Sequence, residues 1–326
     1  MLSIEKYSRR QLVSHGAASL LFASMPARAQ RVPAGAPQPP SLTRDVTKVT
    51  ADTNAANLLT TNVQINGRGP FQFVVDTGAD RTVIADDVVA AQGLPKGGHV
   101  AVEGAVRTVI AETARVEELA FGPVSCEDLV LPVLPRAQLE ADGYLGLDVI
   151  DGYRVTFDFK NHALLVTEPR QAQLLNWAPP DETLVRVSGR SGHLRAFNCI
   201  VDGVRATTFV DTGAEVSVGN SSLYEALIER SPSYAKKDVL PLTGVTGGIV
   251  TGRITTIKNI RLSALTFENS DIAIADLQIF DLWGLAERPS LLIGMNWLRQ
   301  FSHVSIDYGR KELRFDLARL VVARRA

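Results

Sequence analysis

One short string occurs twice in this chain. FVVDTGADRTVI fills positions 73–84 and FVDTGAEVSVG fills 209–219. Both hold Asp-Thr-Gly-Ala followed by an acid, Asp80 in the first and Glu215 in the second. Both are preceded by an apolar run and followed by β-branched residues. The leading aspartates, Asp76 and Asp211, stand 135 positions apart, about the span of one small domain. A repeat at that spacing means the two halves are to be read as copies of one plan.

The likeness extends both ways. Upstream, VQINGRGPFQFVV matches CIVDGVRATTFV: an alternating apolar strand, then Asn66-Gly67 or Asp202-Gly203, then a second strand. Asn-Gly and Asp-Gly are strong hairpin signals, because both central residues of a type I′ turn need positive φ. A hairpin is therefore expected to deliver each Asp-Thr-Gly at a strand end. Downstream, each half has a short helix candidate, ADDVVAAQGLP or SSLYEALIERSP. Glycine-bearing strands follow, VAVEGAVRTVIAET and LPLTGVTGGIVTGRITT. YLGLDVID at 144–151 then matches LIGMNWLRQ at 292–300, with Gly146 and Gly294 each after two bulky apolar residues. Last, VTFDFKNHALLV matches VSIDYGRKELRF, so that Asp158 lies 12 after Gly146 and Asp307 lies 13 after Gly294. Between its aspartate and its apolar-apolar-Gly the second copy is longer, 83 residues against 70. Short strands broken by turn signals predict an all-β fold of two homologous barrels. The first lobe is expected at 47–166 and the second at 183–320, with one or two short helices in each. The polar, proline-containing stretch 167–182 is expected to link them.

A single Asp-Thr-Gly is weak evidence, since all three are turn residues. Here FVV and TVI, and likewise TFV and VSV, set the tripeptides between apolar strands. An isolated ionised Asp buried there would be costly. Two that face each other can share one proton, which makes burial tolerable. The repeat supplies that second carboxylate within one chain.

On these motifs the halves resemble retropepsin-like aspartic proteases, of the pepsin and retropepsin clan. The resemblance covers roughly 48–166 and 183–318. It implies a pseudo-two-fold, bilobal structure with a cleft, and an aspartic endopeptidase that needs no cofactor. Asp76 and Asp211 would activate one water between them to hydrolyse a peptide bond. Thr77 and Thr212 would hydrogen-bond across the lobe junction, while Gly78 and Gly213 would let the backbone approach the carboxylates. Gly146 and Gly294 would let a crossing strand pack on each catalytic loop. Glycine-bearing hairpins near Gly104 and over Gly244–Gly248, Val245 included, would be flaps over an extended peptide or protein substrate. Asp80 and Glu215 would touch substrate backbone. In the family this acid pairs with an Arg just after the Gly strand. Leu147-Asp148 and Met295-Asn296 stand there instead, leaving Arg81 as a substitute in the first half. Ala79 and Ala214 replace the Ser or Thr of pepsin-like enzymes. They remove a donor to the carboxylate, which favours its protonated form.

The N-terminus reads as an address. Lys6, Arg9 and Arg10 precede the weakly apolar LVSHGAASLLFASM and the small-x-small Ala27–Ala29. Residues 1–29 thus resemble an export signal of twin-arginine type, and a bacterial periplasmic location is expected. The Pro- and Ala-rich stretch 30–46 reads as a disordered spacer. After residue 30 no apolar run approaches the roughly 20 residues that span a bilayer. A net charge of −1 gives no electrostatic reason to expect nucleic acid. Cys126 and Cys199 lie in apolar stretches and read as buried unpaired thiols. The five histidines are scattered, so no metal site is expected. Because the duplication supplies both aspartates, a monomer is expected. Two other readings compete. One is a non-catalytic peptide-binding protein on the same bilobal fold. The other is a two-carboxylate glycosidase, which three Trp per chain and repeated Asp-Thr-Gly do not favour.

Overall fold

The computed structural model describes residues 2–4, 47–54, 57–168, 182–188, 195–234 and 239–317. Most of the expected leader and all of the expected spacer, residues 5–46, and most of the expected linker, 169–181, lie outside the described residues. Of the leader, Leu2–Ile4 is a strand antiparallel to Val239–Gly244.

Each half closes a six-stranded barrel. In the first, Leu59–Ile65 pairs with Arg68–Val75, which pairs in parallel with Gly143–Leu145. The ring continues through Val83–Ala85 and Val124–Leu134 to Thr108–Phe121, which returns to Leu59–Ile65. In the second half the ring is Arg195–Val201, Val204–Val210, Ser290–Ile293, Val218–Gly219, Leu265–Ile274 and Ile249–Leu262. The pairings correspond strand for strand, parallel ones included. The turns at Asn66-Gly67 (φ 51° and 70°) and Asp202-Gly203 (φ 42° and 85°) have the left-handed backbone their sequences demand.

The barrels share a six-stranded antiparallel sheet. Its order is Thr47–Thr53, Ala163–Thr167, Arg154–Asp158, Phe301–Asp307, Glu312–Leu317, Glu182–Ser188. The two central strands come from different halves and meet with Thr156 opposite Ser305, whose hydroxyls lie 2.8 Å apart. Arg154, two residues from that centre, donates to Asp307 at 2.7 and 2.9 Å, with both side chains buried. The repeat thus ends each half in a hairpin that pairs with its counterpart. Phe157, Phe301 and Phe315 of this sheet belong, with Trp297, to the main core.

Helix is more frequent than expected. Among the described residues each half has three α-helical pieces, Asp86–Gln92, Arg136–Leu139 and Leu147–Ile150 in the first, and Ser221–Arg230, Gln278–Leu282 and Met295–Leu298 in the second, which adds a 3-10 turn at Pro232–Tyr234. The unexpected ones are single turns just before and just after the Gly strand. Such a turn is too short for hydrophobic periodicity to reveal. Both cysteines are unpaired. Cys199 is buried as expected, whereas Cys126, which packs against the core from the strand Val124–Leu134, is only half-buried.

Candidate active site

Each hairpin strand ends at its aspartate, and the neighbouring Gly strand holds it there. The Asp76 amide donates to Leu145 O at 3.0 Å and the Asp211 amide to Ile293 O at 2.9 Å. Both side chains are almost wholly buried, at 1% and 3% exposure. One oxygen of each carboxylate accepts from the glycine two residues on, Gly78 N or Gly213 N, at 2.8 Å. The two carboxyl groups hydrogen-bond each other. Burial, and then the charge of Asp211, push the Asp76 carboxyl well above the usual carboxylate range.

The glycines set this closeness. A Cβ on Gly78 would lie 2.5 Å from the Asp211 carboxyl carbon, and one on Gly213 would lie 2.4 Å from that of Asp76. Each lobe thereby leaves space that the other lobe's carboxylate fills. The threonines lock the junction reciprocally. Thr77 Oγ1 donates to Val210 O at 3.1 Å and Thr212 Oγ1 to Val75 O at 2.7 Å. In return, Thr77 N donates to Thr212 Oγ1 and Thr212 N to Thr77 Oγ1, both at 3.1 Å.

A further layer went unread in the sequence. Thr82 and Ser217 are fully buried, six residues past each aspartate. Their hydroxyls accept from Gly146 N and Gly294 N at 3.0 Å. They donate in turn to Asp148 Oδ1 at 2.7 Å and Asn296 Oδ1 at 2.8 Å. The residues standing where the family places a pairing Arg thus tie the Gly strand to the Asp-Thr-Gly loop. At Gly146 a Cβ would lie 2.4 Å from Arg81 C, and at Gly294 2.6 Å from Val216 O, so only glycine fits.

Asp80 is exposed and Glu215 half-buried beside the dyad; their carbonyls accept from Asp148 N and Asn296 N at 3.2 and 3.0 Å. The expected absence of a pairing arginine needs correction in the second half. Arg299, at the end of helix Met295–Leu298, interacts electrostatically with Glu215. It reaches the acid from five residues after Gly294, where the first half has Asp151. In the first half the charge of Arg81 acts on Asp148.

Two hairpins occupy corresponding places in the two lobes. The first joins Lys96–Glu103 to Thr108–Phe121 through Gly104–Arg107, and the second joins Val239–Gly244 to Ile249–Leu262 through Val245–Gly248. Each turn is closed by its own bond, Gly104 N to Arg107 O at 3.1 Å and Gly247 N to Gly244 O at 2.8 Å.

The sequence pattern of the aspartyl protease family matches residues 61–149 and 197–297, once in each barrel. The chain belongs to that family. A search of curated proteins found no match for it. Within an aspartyl protease the double match has a simple sense, since the family pattern covers one lobe and this member carries two. No helix among the described residues is long and apolar enough to cross a membrane.

Proposed function

We propose that this aspartyl protease is an endopeptidase that works as a single chain, with Asp76 and Asp211 as its catalytic residues. The observation that carries the reading is the buried, mutually hydrogen-bonded carboxyl pair, one member from each lobe. Like charges that close cannot both ionise, so the pair titrates as a unit and keeps one proton well into the range where lone carboxylates have lost theirs. The ionised member takes a proton from a water, which attacks the peptide carbonyl. The protonated member donates to the carbonyl oxygen. The gem-diol then collapses as the amine leaves protonated. The flaps close over an extended peptide and exclude bulk water, with Gly104, Gly244 and Val245 at their tips and Asp80 and Glu215 at the cleft floor. The basic, apolar, small-x-small order of residues 1–29 supports export, to the periplasm of a bacterium.

Incubating the mature chain with a mixed peptide library and sequencing the products tests the reaction. Internal cleavage by the parent, lost in both Asp76→Asn and Asp211→Asn, is expected. Binding of peptides without cleavage would favour the non-catalytic alternative. Fractionation of cells and N-terminal sequencing of the processed chain test export.

A further inference from the structure

The flap tips do not merely approach each other; they cross. Arg107 Nε of the first flap donates to Thr246 O of the second at 2.8 Å. Thr246 Oγ1 donates back to Arg107 O at 2.8 Å. Each tip therefore spends one side chain on the other tip's main-chain carbonyl. The packing is as close as the bonds. A Cβ on Gly104 would lie 2.1 Å from Thr246 Oγ1, and one on Gly247 would lie 2.5 Å from Arg107 Nη2. Val106 lies against Gly244 and Gly248, whose Cβ positions are 3.2 and 3.1 Å from its methyls. Thr246 is 1% exposed and Ala105 4%. The first tip is also tied to the helix Gln278–Leu282, through Ile279 N to Ala105 O at 3.4 Å and Gln278 Nε2 to Thr108 Oγ1 at 2.5 Å.

We propose that Arg107 and Thr246 form a latch that holds the two hairpin tips together, so that it must part before a substrate strand reaches the carboxylates. The peptide in this statement rests on the protease reading; the latch itself does not. A closed resting state lowers apparent substrate affinity by the fraction of molecules that are open. Arg107 and Thr246 then act on the reaction through that fraction, as gating residues that need touch no reacting atom.

Hydrogen exchange decides the matter without any need for activity. In an Asp76→Asn background, exchange is followed at Gly104 and Gly247, whose amides close the two tip turns. Thr246→Val keeps the branched shape and removes the donor, and Thr246→Ser keeps the donor. Exchange at both amides should rise about fivefold in Thr246→Val, the factor carried by one ordinary hydrogen bond, and return to the parent rate in Thr246→Ser. On the Asp76-containing chain, kcat/KM for a peptide should rise about fivefold in Thr246→Val as well. Parent exchange rates in Thr246→Val, or equal acceleration in the Ser variant, would overturn the latch. Accelerated exchange in a chain that cleaves nothing would leave the latch standing and remove the protease reading.

Discussion

At the scale of single residues, the dyad carries the sharpest expectations. Asp76→Asn and Asp211→Asn should each lower kcat by about 10³-fold or more, the range that positioned acid–base groups supply, and single-turnover assays on folded variants would show it. Stability should move the other way. The Asp76 carboxyl sits above its unfolded value, so its favourable contribution is complete below the ordinary carboxylate range and is lost as pH rises through the shifted value. Asp76→Asn should therefore melt higher than the parent at pH 7, with the gap closing near pH 3. A parent that melts higher at pH 7 would contradict this. Activity needs one proton on the pair, so kcat/KM should persist toward neutral pH and fall once both acids ionise. Ala79→Ser and Ala214→Ser together should shift that limb toward acid by restoring a donor to the anion. Both aspartates and their glycines were legible in the sequence because the string is repeated. Arg299 was not. Its match in the first half is Asp151, so comparing the halves hides it. Thr82 and Ser217 were readable as matched hydroxyls, but in β-branched runs they pass for ordinary strand formers.

At the scale of elements, function depends on loops held from the opposite lobe. Thr212→Val would leave Thr77 N and Val75 O, both at the buried junction, without partners. A loss of about 2 kcal/mol is expected from denaturant unfolding, together with a fall in kcat that Thr212→Ser restores. Gly78→Ala should be severe for activity, since the added methyl strikes the Asp211 carboxyl; a variant with parent kcat would refute that. The hairpins were legible from Asn66-Gly67 and Asp202-Gly203, since their turns fix backbone sign locally. The two hairpin turns were legible from Gly104 and Gly244. Their crossing was not, because Arg107 and Thr246 are 139 residues apart and meet only through the docking of two barrels.

At the scale of the whole molecule, the central sheet makes the two barrels one body. Asp307→Asn would leave the buried Arg154 guanidinium with an uncharged partner at the seam, and a loss of about 3 kcal/mol is expected. Because both carboxylates lie in one chain, activity should elute with the monomer on size exclusion, and Asp76→Asn mixed with Asp211→Asn should recover nothing. The barrels and their order were legible from strand-by-strand repetition. The shared sheet was less so, since nothing in VTFDFKNHALLV states which strand it will meet. Part of the extra length of the second half is visible as a longer connection before its Gly strand, 275–289 against 135–142. That connection carries the helix whose Ile279 and Gln278 hold the first flap, while its counterpart offers Gln138 near Gly247 of the second. A site on a true two-fold axis presents the same walls to a chain running in either direction. This roof is propped by unlike supports at its two ends, so a peptide laid beneath it and the same peptide reversed are different guests. Divergence of the copies has given the cleft a sense of direction that two identical lobes could not possess.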